Sequence, residues 1–272
     1  MNNEVKSVEL NTGITIQYVE KGEPSGVPVL LLHGLSDSWH SFELVMPHLP
    51  NTIRAFSLSQ RGHGDSDRPK EGYQVKDLAA DVKAFLDALD IPKAVILGHS
   101  LGSAVAQRFV IDYPERALGL VVTGAFYNMT KSPVLKELSD SVIPQLSEPV
   151  DPGFIREFQQ STIMRPVEES FFETIVQESL KLPVHAWQAL VKSALKDDFS
   201  EILHTIILPT LIIWGDQDGI TTRSDQDEQI AAIKNVRYVE YKDTGHAPHW
   251  EEPHRFASDL VTFVETDVSK DR

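Results

Sequence analysis

The sequence of 272 residues contains no cysteine, which excludes disulfide bridges, thiolate nucleophiles and cysteine-ligated metal sites. This absence fits a reducing compartment, and we expect the protein to be cytoplasmic. Basic residues are also scarce, since 25 lysines and arginines stand against 40 aspartates and glutamates, a formal net charge of −15. Proteins that bind nucleic acid or an anionic membrane surface need clustered cations, so neither partner is expected.

Long hydrophobic runs are absent as well. No stretch approaches the roughly 18 apolar residues of a membrane-spanning helix. The first segment, Met1–Leu10, lacks the apolar run after a basic start that marks a secretory signal. Apolar residues nevertheless make up 41% of the chain. This composition and length predict one large α/β domain with an insertion, rather than two independent cores.

Short apolar runs alternate with amphipathic segments along the chain. Two alternating segments, Val5–Leu10 and Ile14–Glu20, predict a hairpin at the start. Later segments, such as Val75–Asp90, have apolar residues at helical spacing. Continuous apolar runs lie between these segments and are typical of strands buried on both faces of a sheet. These runs are Val29–Leu32, Ile53–Leu58, Ala94–Leu97, Leu118–Val122, Leu211–Ile213 and Val236–Tyr241. The order predicts an α/β fold with a mostly parallel eight-stranded sheet flanked by helices.

Residues 128–200 break this alternation, because they carry helical patterns and no strand pattern. The four predicted helices are Pro133–Leu146, Pro152–Ile163, Val167–Leu182 and Pro183–Leu195. The block follows the carboxyl end of the sixth strand, where α/β sheets hold their ligands. We therefore predict a helical cap over residues 128–200 on a core domain of residues 1–127 and 201–272. Extra core packing away from the site is the alternative.

The pentapeptide Gly98–Gly102 lies between a predicted strand and a predicted helix. A sharp strand-to-helix turn presents one side chain at its tip in a strained backbone conformation. The positions flanking that side chain must be small, and both are glycine here. In this context Ser100 is predicted to be a nucleophile rather than a plain helix cap, with the N–H of Leu101 beside it.

A serine hydroxyl needs a base to become a nucleophile, and the base needs an acid to orient it. His246 follows the last predicted strand, at the same sheet edge as Ser100. Asp216 and Asp218 both follow the preceding strand, and their spacing alone leaves both open as the acid. The chain order of serine, acid and histidine is that of the α/β-hydrolase arrangement.

These motifs, with His33-Gly34 and the segment Gln60–Asp67, resemble those of cap-bearing α/β-hydrolases over nearly the whole chain. The resemblance implies that Asp218 is the acid, as the second Asp of a G-x-x-D pattern. It also implies that the backbone N–H groups of Leu35 and Leu101 form an oxyanion hole. Such machinery requires no cofactor and no metal ion. The loop spacing of the histidines near His246 does not predict a metal site either.

The predicted reaction is hydrolysis of a carboxylic ester or lactone with a small to medium apolar body, through an acyl-enzyme. Trp39, Phe126, Trp187 and His249 are candidates to line the substrate pocket. Family members with an Asp nucleophile, the haloalkane dehalogenases and epoxide hydrolases, are disfavoured because position 100 is Ser. Carbon–carbon hydrolases of ring-cleavage diketones and cofactor-free perhydrolases remain alternatives, since they keep the same triad. A ligand receptor or signalling protein is the non-enzymatic alternative, and oligomeric state is left open.

Overall fold

An eight-stranded sheet organises the computed structural model, which describes residues 4–268. The strands are β1 (Val5–Glu9), β2 (Thr15–Lys21), β3 (Val27–Leu32), β4 (Ile53–Ser59), β5 (Ala94–His99), β6 (Ala117–Thr123), β7 (Thr210–Gly215) and β8 (Val236–Tyr241). They lie in the order β1-β2-β4-β3-β5-β6-β7-β8. β2 pairs antiparallel with both of its neighbours, whereas the pairs from β4 to β8 are parallel. The prediction of a mostly parallel eight-stranded sheet is therefore confirmed.

Helices cover both faces of this sheet. The α-helices of the described residues are α1 (Val75–Ala88), α2 (Leu101–Asp112), α3 (Pro133–Glu137), α4 (Pro152–Gln160), α5 (Glu169–Ser179), α6 (Val184–Ala194), α7 (Arg223–Ala232), α8 (Pro248–Glu251) and α9 (Pro253–Phe263). Successive side chains of a strand point to opposite faces. Leu30 accordingly packs in the apolar cluster of Phe85 on α1, while Leu31 packs in that of Phe263 on α9. The continuous apolar runs arise because both faces are covered.

The helices α3 to α6 all lie between β6 and β7, in what we call the inserted segment, residues 124–209. An isolated antiparallel bridge joins Asn128 to Asp198, so an early and a late part of the segment meet. The predicted helix Pro133–Leu146 is wrong as a single helix, because α3 ends at Glu137 and a π-helical turn, Leu138–Val142, and a 3₁₀ turn follow. Pro144 lies in that last turn, and proline cannot donate the backbone hydrogen bond that a continuous α-helix needs.

The division into a core domain and a cap stays a prediction. Its core domain includes residues 1–3 and 269–272, which lie outside the described residues. Within residues 4–268, no helix combines the length and the apolar character needed to cross a bilayer.

A buried histidine pair joins the loops that follow β3 and β4. His33 donates from Nδ1 to the carbonyl of Gly34 at 2.7 Å and accepts at Nε2 from the N–H of Gln60 at 3.0 Å. His63 donates from Nδ1 to the carbonyl of Arg61 at 2.9 Å, and the two imidazole centroids are 4.8 Å apart. Burial lowers the pKa of His63 to about 4 and that of His33 well below its usual value. Both rings are therefore neutral at pH 7.

We expect the free energy of unfolding to fall as the pH drops from about 6.5 toward 4. The unfolded chain protonates His63 near pH 6.5, whereas the folded chain resists protonation until about pH 4. The stability is therefore complete above the unfolded pKa and decreases below it, by about 3 kcal/mol for His63 at roughly 1.4 kcal/mol per pKa unit. Urea denaturation at pH 7.5 and pH 5 should show about 2 kcal/mol of this loss, since pH 5 lies roughly 1.5 units below the unfolded pKa.

His63→Asn should reduce that pH dependence, because the amide keeps an N–H donor but cannot take up a proton in this range. His204→Asn is the matched control, since His204 is exposed. Other titrating groups affect all three proteins equally. A pH dependence unchanged in His63→Asn would show that this histidine does not set the acid sensitivity.

Candidate active site

Ser100 stands at the tip of the turn between β5 and α2. Its backbone has φ 53° and ψ −118°, in a region that residues other than glycine rarely adopt. A Cβ at Gly98 would lie 2.1 Å from the carbonyl oxygen of Gly102. A Cβ at Gly102 would lie 2.2 Å from that of Leu32. Both flanking positions therefore require glycine, and the tight turn projects the serine from the carboxyl end of the sheet.

His246 and Asp218 form a buried pair at the same end of the sheet. His246 Nδ1 lies 2.8 Å from Asp218 Oδ2, and the two side chains are 2% and 0% exposed. Asp218 Oδ1 also accepts the N–H groups of Ile220 at 2.8 Å and Thr221 at 3.0 Å, while Oδ2 accepts the Thr221 hydroxyl at 2.5 Å. Burial acts to raise the pKa of the Asp218 carboxyl, but the His246 charge and these hydrogen bonds lower it below its usual value.

An ionised Asp218 accepts the Nδ1–H of His246, which leaves the lone pair of Nε2 free to accept a proton. That Nε2 atom is buried and has no hydrogen-bond partner among the described residues. Asp216 does not contact the imidazole; its carboxylate lies 3.5 Å from Lys242 Nζ and accepts from the side chain of Gln217 at 3.2 Å. Of the two carboxylates left open by spacing, the structure brings Asp218 to the histidine.

Two contacts place His246 beside the Ser100 turn. The Nε2–H of His99, the residue before the serine, donates to the carbonyl of His246 at 3.0 Å. The N–H of Ser100 donates to the carbonyl of Thr123 at 3.0 Å. Gly124, the residue after Thr123, lies against the imidazole of His246. A Cβ at Gly124, whose φ is +55°, would approach His246 Cε1 to 2.6 Å. Sequence reasoning missed this glycine, whose position directly after β6 was the available signal.

Ser100, Leu35 and Leu101 line one cavity of about 60 Å³. The rest of its wall is apolar and comes mainly from the inserted segment. Examples are Met129, Leu138, Phe158 and Leu190, with Ile220 from the loop after β7. These wall residues were not predicted, because a helix has the same pattern of apolar residues whether they face a core or a cavity. Ser100 therefore borders an apolar space.

Of the four residues predicted to line a substrate pocket, Phe126 lies on the wall of this cavity. The other three do not line this cavity, and their place in a substrate pocket stays a prediction. Trp39 packs in the apolar cluster on the α9 face of the sheet. Trp187 packs against phenylalanines of α4 inside the inserted segment. His249 is fully buried, with its Nε2 atom 3.1 Å from the hydroxyl of Ser41. Large aromatic side chains are common in cores as well as in pockets.

No group of three His, Asp or Glu side chains in residues 4–268 has a geometry that could hold a metal ion. His254, close to His246 in sequence, stacks on His48 with ring centroids 3.5 Å apart.

Comparisons with known proteins agree on one family. A family model described as alpha/beta hydrolase fold matches residues 27–151 and 154–253. The chain is 28% identical over 250 residues to the AB hydrolase superfamily protein YisY of Bacillus subtilis, covering 88% of this chain and 91% of that protein. It is 24% identical over 285 residues to human epoxide hydrolase 4, covering 96% and 78%. An esterase structure from Exiguobacterium antarcticum superimposes with a TM-score of 0.84 at 20% identity, over 97% and 100%.

Proposed function

Because the chain belongs to the α/β-hydrolase fold family, we propose that it is a serine hydrolase that cleaves carboxylic esters or lactones through an acyl-enzyme. The observation that carries this proposal is the buried Asp218–His246 pair, in which His246 Nε2 has no hydrogen-bond partner among the described residues. The backbone of this histidine is bound by His99, the residue before Ser100 in the strained turn. This arrangement supplies a nucleophile, a base with an unoccupied acceptor and an acid that orients it.

In the proposed reaction, Ser100 Oγ attacks the ester carbonyl carbon while His246 Nε2 takes the hydroxyl proton. The N–H groups of Leu35 and Leu101 receive the negative charge that develops on the carbonyl oxygen. The tetrahedral intermediate collapses, and the alkoxide leaves with the proton from His246. A water molecule then attacks the acyl-enzyme with His246 again as the base, which releases the carboxylic acid and restores the serine.

The apolar cavity favours a short acyl group. A cavity of about 60 Å³ is well below the roughly 150 Å³ of a cavity that binds benzene, so it has room for only a small group. A longer chain requires the wall formed by the inserted segment to move. The position of this wall over Ser100 supports the proposal that the inserted segment acts as a lid. Apolar lining with few polar groups suits an uncharged substrate.

The p-nitrophenyl acetate and butyrate esters should therefore be hydrolysed with a kcat/KM about tenfold or more above that of the decanoate. The decanoate acyl chain does not fit the cavity, so it gains no free energy from burial there. Leu190→Ala should raise kcat/KM for the octanoate relative to the butyrate, because it widens the cavity. Leu182→Ala is the matched control, since Leu182 is equally buried but does not line the cavity. An unchanged chain-length profile in Leu190→Ala would place the acyl group elsewhere.

A substrate panel tests the reaction class. Ester or lactone hydrolysis should exceed both the cleavage of vinylogous diketones and peroxide-dependent oxidation. An epoxide should not be turned over, because the family resemblance implies an Asp nucleophile for epoxide hydrolases of this fold, and position 100 is Ser. Faster turnover of the diketone or a strict requirement for peroxide would replace the esterase assignment. Negligible turnover of every substrate would support a receptor.

A further inference from the structure

We propose that Gln159, a buried residue of α4, is a positioning residue for the oxyanion hole. It holds the loop that carries the Leu35 N–H in the geometry that stabilises the developing negative charge. This inference rests on the proposed function, because it assigns a role within the same reaction. Its basis is a set of contacts between the inserted segment and the two loops that flank the nucleophile.

Gln159 is 1% exposed. Its Nε2 atom lies 3.1 Å from Ser36 Oγ, 2.9 Å from Asp37 Oδ1 and 2.8 Å from Ser179 Oγ. A primary amide has two N–H groups, so the three acceptors share two donors. Ser36 and Asp37 are the two residues directly after Leu35. The Gln159 amide therefore binds the loop directly after Leu35, whose backbone N–H must point into the cavity for the proposed role.

The loop needs such a restraint because its backbone is strained. Ser36 has φ 67°, a left-handed conformation that costs a serine free energy and persists only when its surroundings hold it. The N–H of Asp37 returns to the carbonyl of Gly34 at 3.3 Å, which closes a tight turn around Leu35. A long turn hydrogen bond alone is a weak restraint, so the side-chain contacts from Gln159, together with the Ser41 hydroxyl on Asp37, add to it.

The burial of Asp37 makes its hydrogen bond with Gln159 important for the position of the loop. It is 1% exposed, and burial raises the pKa of its carboxyl to about 7 despite hydrogen bonds from Gln159 and the Ser41 hydroxyl. A buried carboxylate that loses one of its few donors becomes costly to keep in place. Loss of the Gln159 amide should therefore shift the Asp37 side chain and, with it, the turn that presents Leu35.

The residues that follow this helix, α4, also bind the loop of His246. The carbonyl of Thr162 accepts the N–H groups of His246 at 2.8 Å and Ala247 at 3.2 Å. The Glu251 carboxylate accepts those of Gly245 and Arg165, both at 2.8 Å. Residues 159–165 thus contact both loops that serve the reaction. This stretch of the inserted segment is part of the frame that fixes the catalytic groups.

The test compares Gln159→Glu with Gln160→Glu in the full-length protein, using p-nitrophenyl butyrate. Gln159→Glu removes the donor and places a second carboxylate at Asp37. We expect kcat to fall about 10–100-fold, because removal of an oxyanion donor costs about 10²–10³ and displacement costs part of that. KM should change less than about threefold, since the oxyanion forms only in the transition state. Gln160 is exposed on the same helix, so Gln160→Glu should match the wild type.

A second variant covers the case in which Gln159→Glu does not fold. Gln159→Met keeps the length of the side chain without either a donor or a charge, and it should show the same selective loss of kcat. Thermal denaturation establishes that each variant is folded before its kinetics are compared. A folded variant with wild-type kcat, or one in which only KM changes, overturns the positioning role. The proposed function fails separately, if Ser100→Ala keeps the esterase activity.

Discussion

Ser100→Ala should lower the hydrolysis of p-nitrophenyl butyrate by on the order of 10⁶-fold, as loss of the nucleophile does in serine hydrolases with this machinery. Without the hydroxyl no acyl-enzyme forms, and only substrate binding and the oxyanion hole remain to assist attack by water. The thermal midpoint should not fall, because removing one oxygen from a strained turn leaves the flanking glycine contacts unchanged. Steady-state kinetics and thermal denaturation measure both outcomes.

Ser103→Ala is the control for this substitution. Ser103 lies in the first turn of α2, and its hydroxyl donates to the carbonyl of Ser100 at 2.6 Å. Its loss should reduce the rate by less than about tenfold, since one hydrogen bond is worth about 1 kcal/mol. A fluorophosphonate should label the wild type at the peptide that contains Ser100 and should not label Ser100→Ala. Retained esterase activity in Ser100→Ala would refute the nucleophile assignment.

Asp218→Asn should reduce kcat by about 10⁴-fold. The amide would offer an N–H to Nδ1 of His246, so the imidazole would carry its proton on Nε2 and could no longer accept one from Ser100. Asp218 would also lose the negative charge that stabilises the protonated imidazole. The substituted side chain has nearly the same shape, so the packing at this fully buried position should survive.

Asp216→Asn makes the same chemical change two residues away and serves as the matched control. The Asp216 carboxylate contacts Lys242 at 3.5 Å near the surface, and a pair of this kind is worth about 0–1 kcal/mol. We therefore expect kcat within about fivefold of the wild type, since the free energy at stake is small. If Asp216→Asn lost more activity than Asp218→Asn, the assignment of the acid would be reversed.

The sequence predicts what depends on local backbone constraints. Gly98 and Gly102 flank a serine between a strand and a helix, where the absence of a Cβ permits a sharp turn. This local pattern is enough to predict that Ser100 stands at the tip of that turn. The sheet follows for a similar reason, because continuous apolar runs are stable only where both faces are covered. Spacing could not separate Asp216 from Asp218, because the choice depends on a three-dimensional contact with His246.

The site wall depends on packing between distant segments, and there the sequence was a poor guide. Phe158 and Trp187 both lie on helices of the inserted segment, 5.2 Å apart by ring centroids, yet Phe158 alone of the two lines the cavity. A side chain's hydrophobicity predicts burial without predicting which side of a thin helical layer it faces. The role of Gln159 could not be predicted for a related reason, because Ser36 and Asp37 are more than 120 residues away from it along the chain.

The bridge between Asn128 and Asp198 has a consequence for evolution and engineering. A stretch that leaves and re-enters the fold at neighbouring points can change its length at a small entropic cost to the rest of the chain, so substrate preference could diverge by exchange of this stretch alone. The contacts of residues 159–165 limit that freedom, because a transplanted replacement must bring its own amide for Ser36 and its own carbonyl for His246. Chimeras that retain these seven residues should keep turnover, whereas chimeras without them should bind new esters and hydrolyse them slowly.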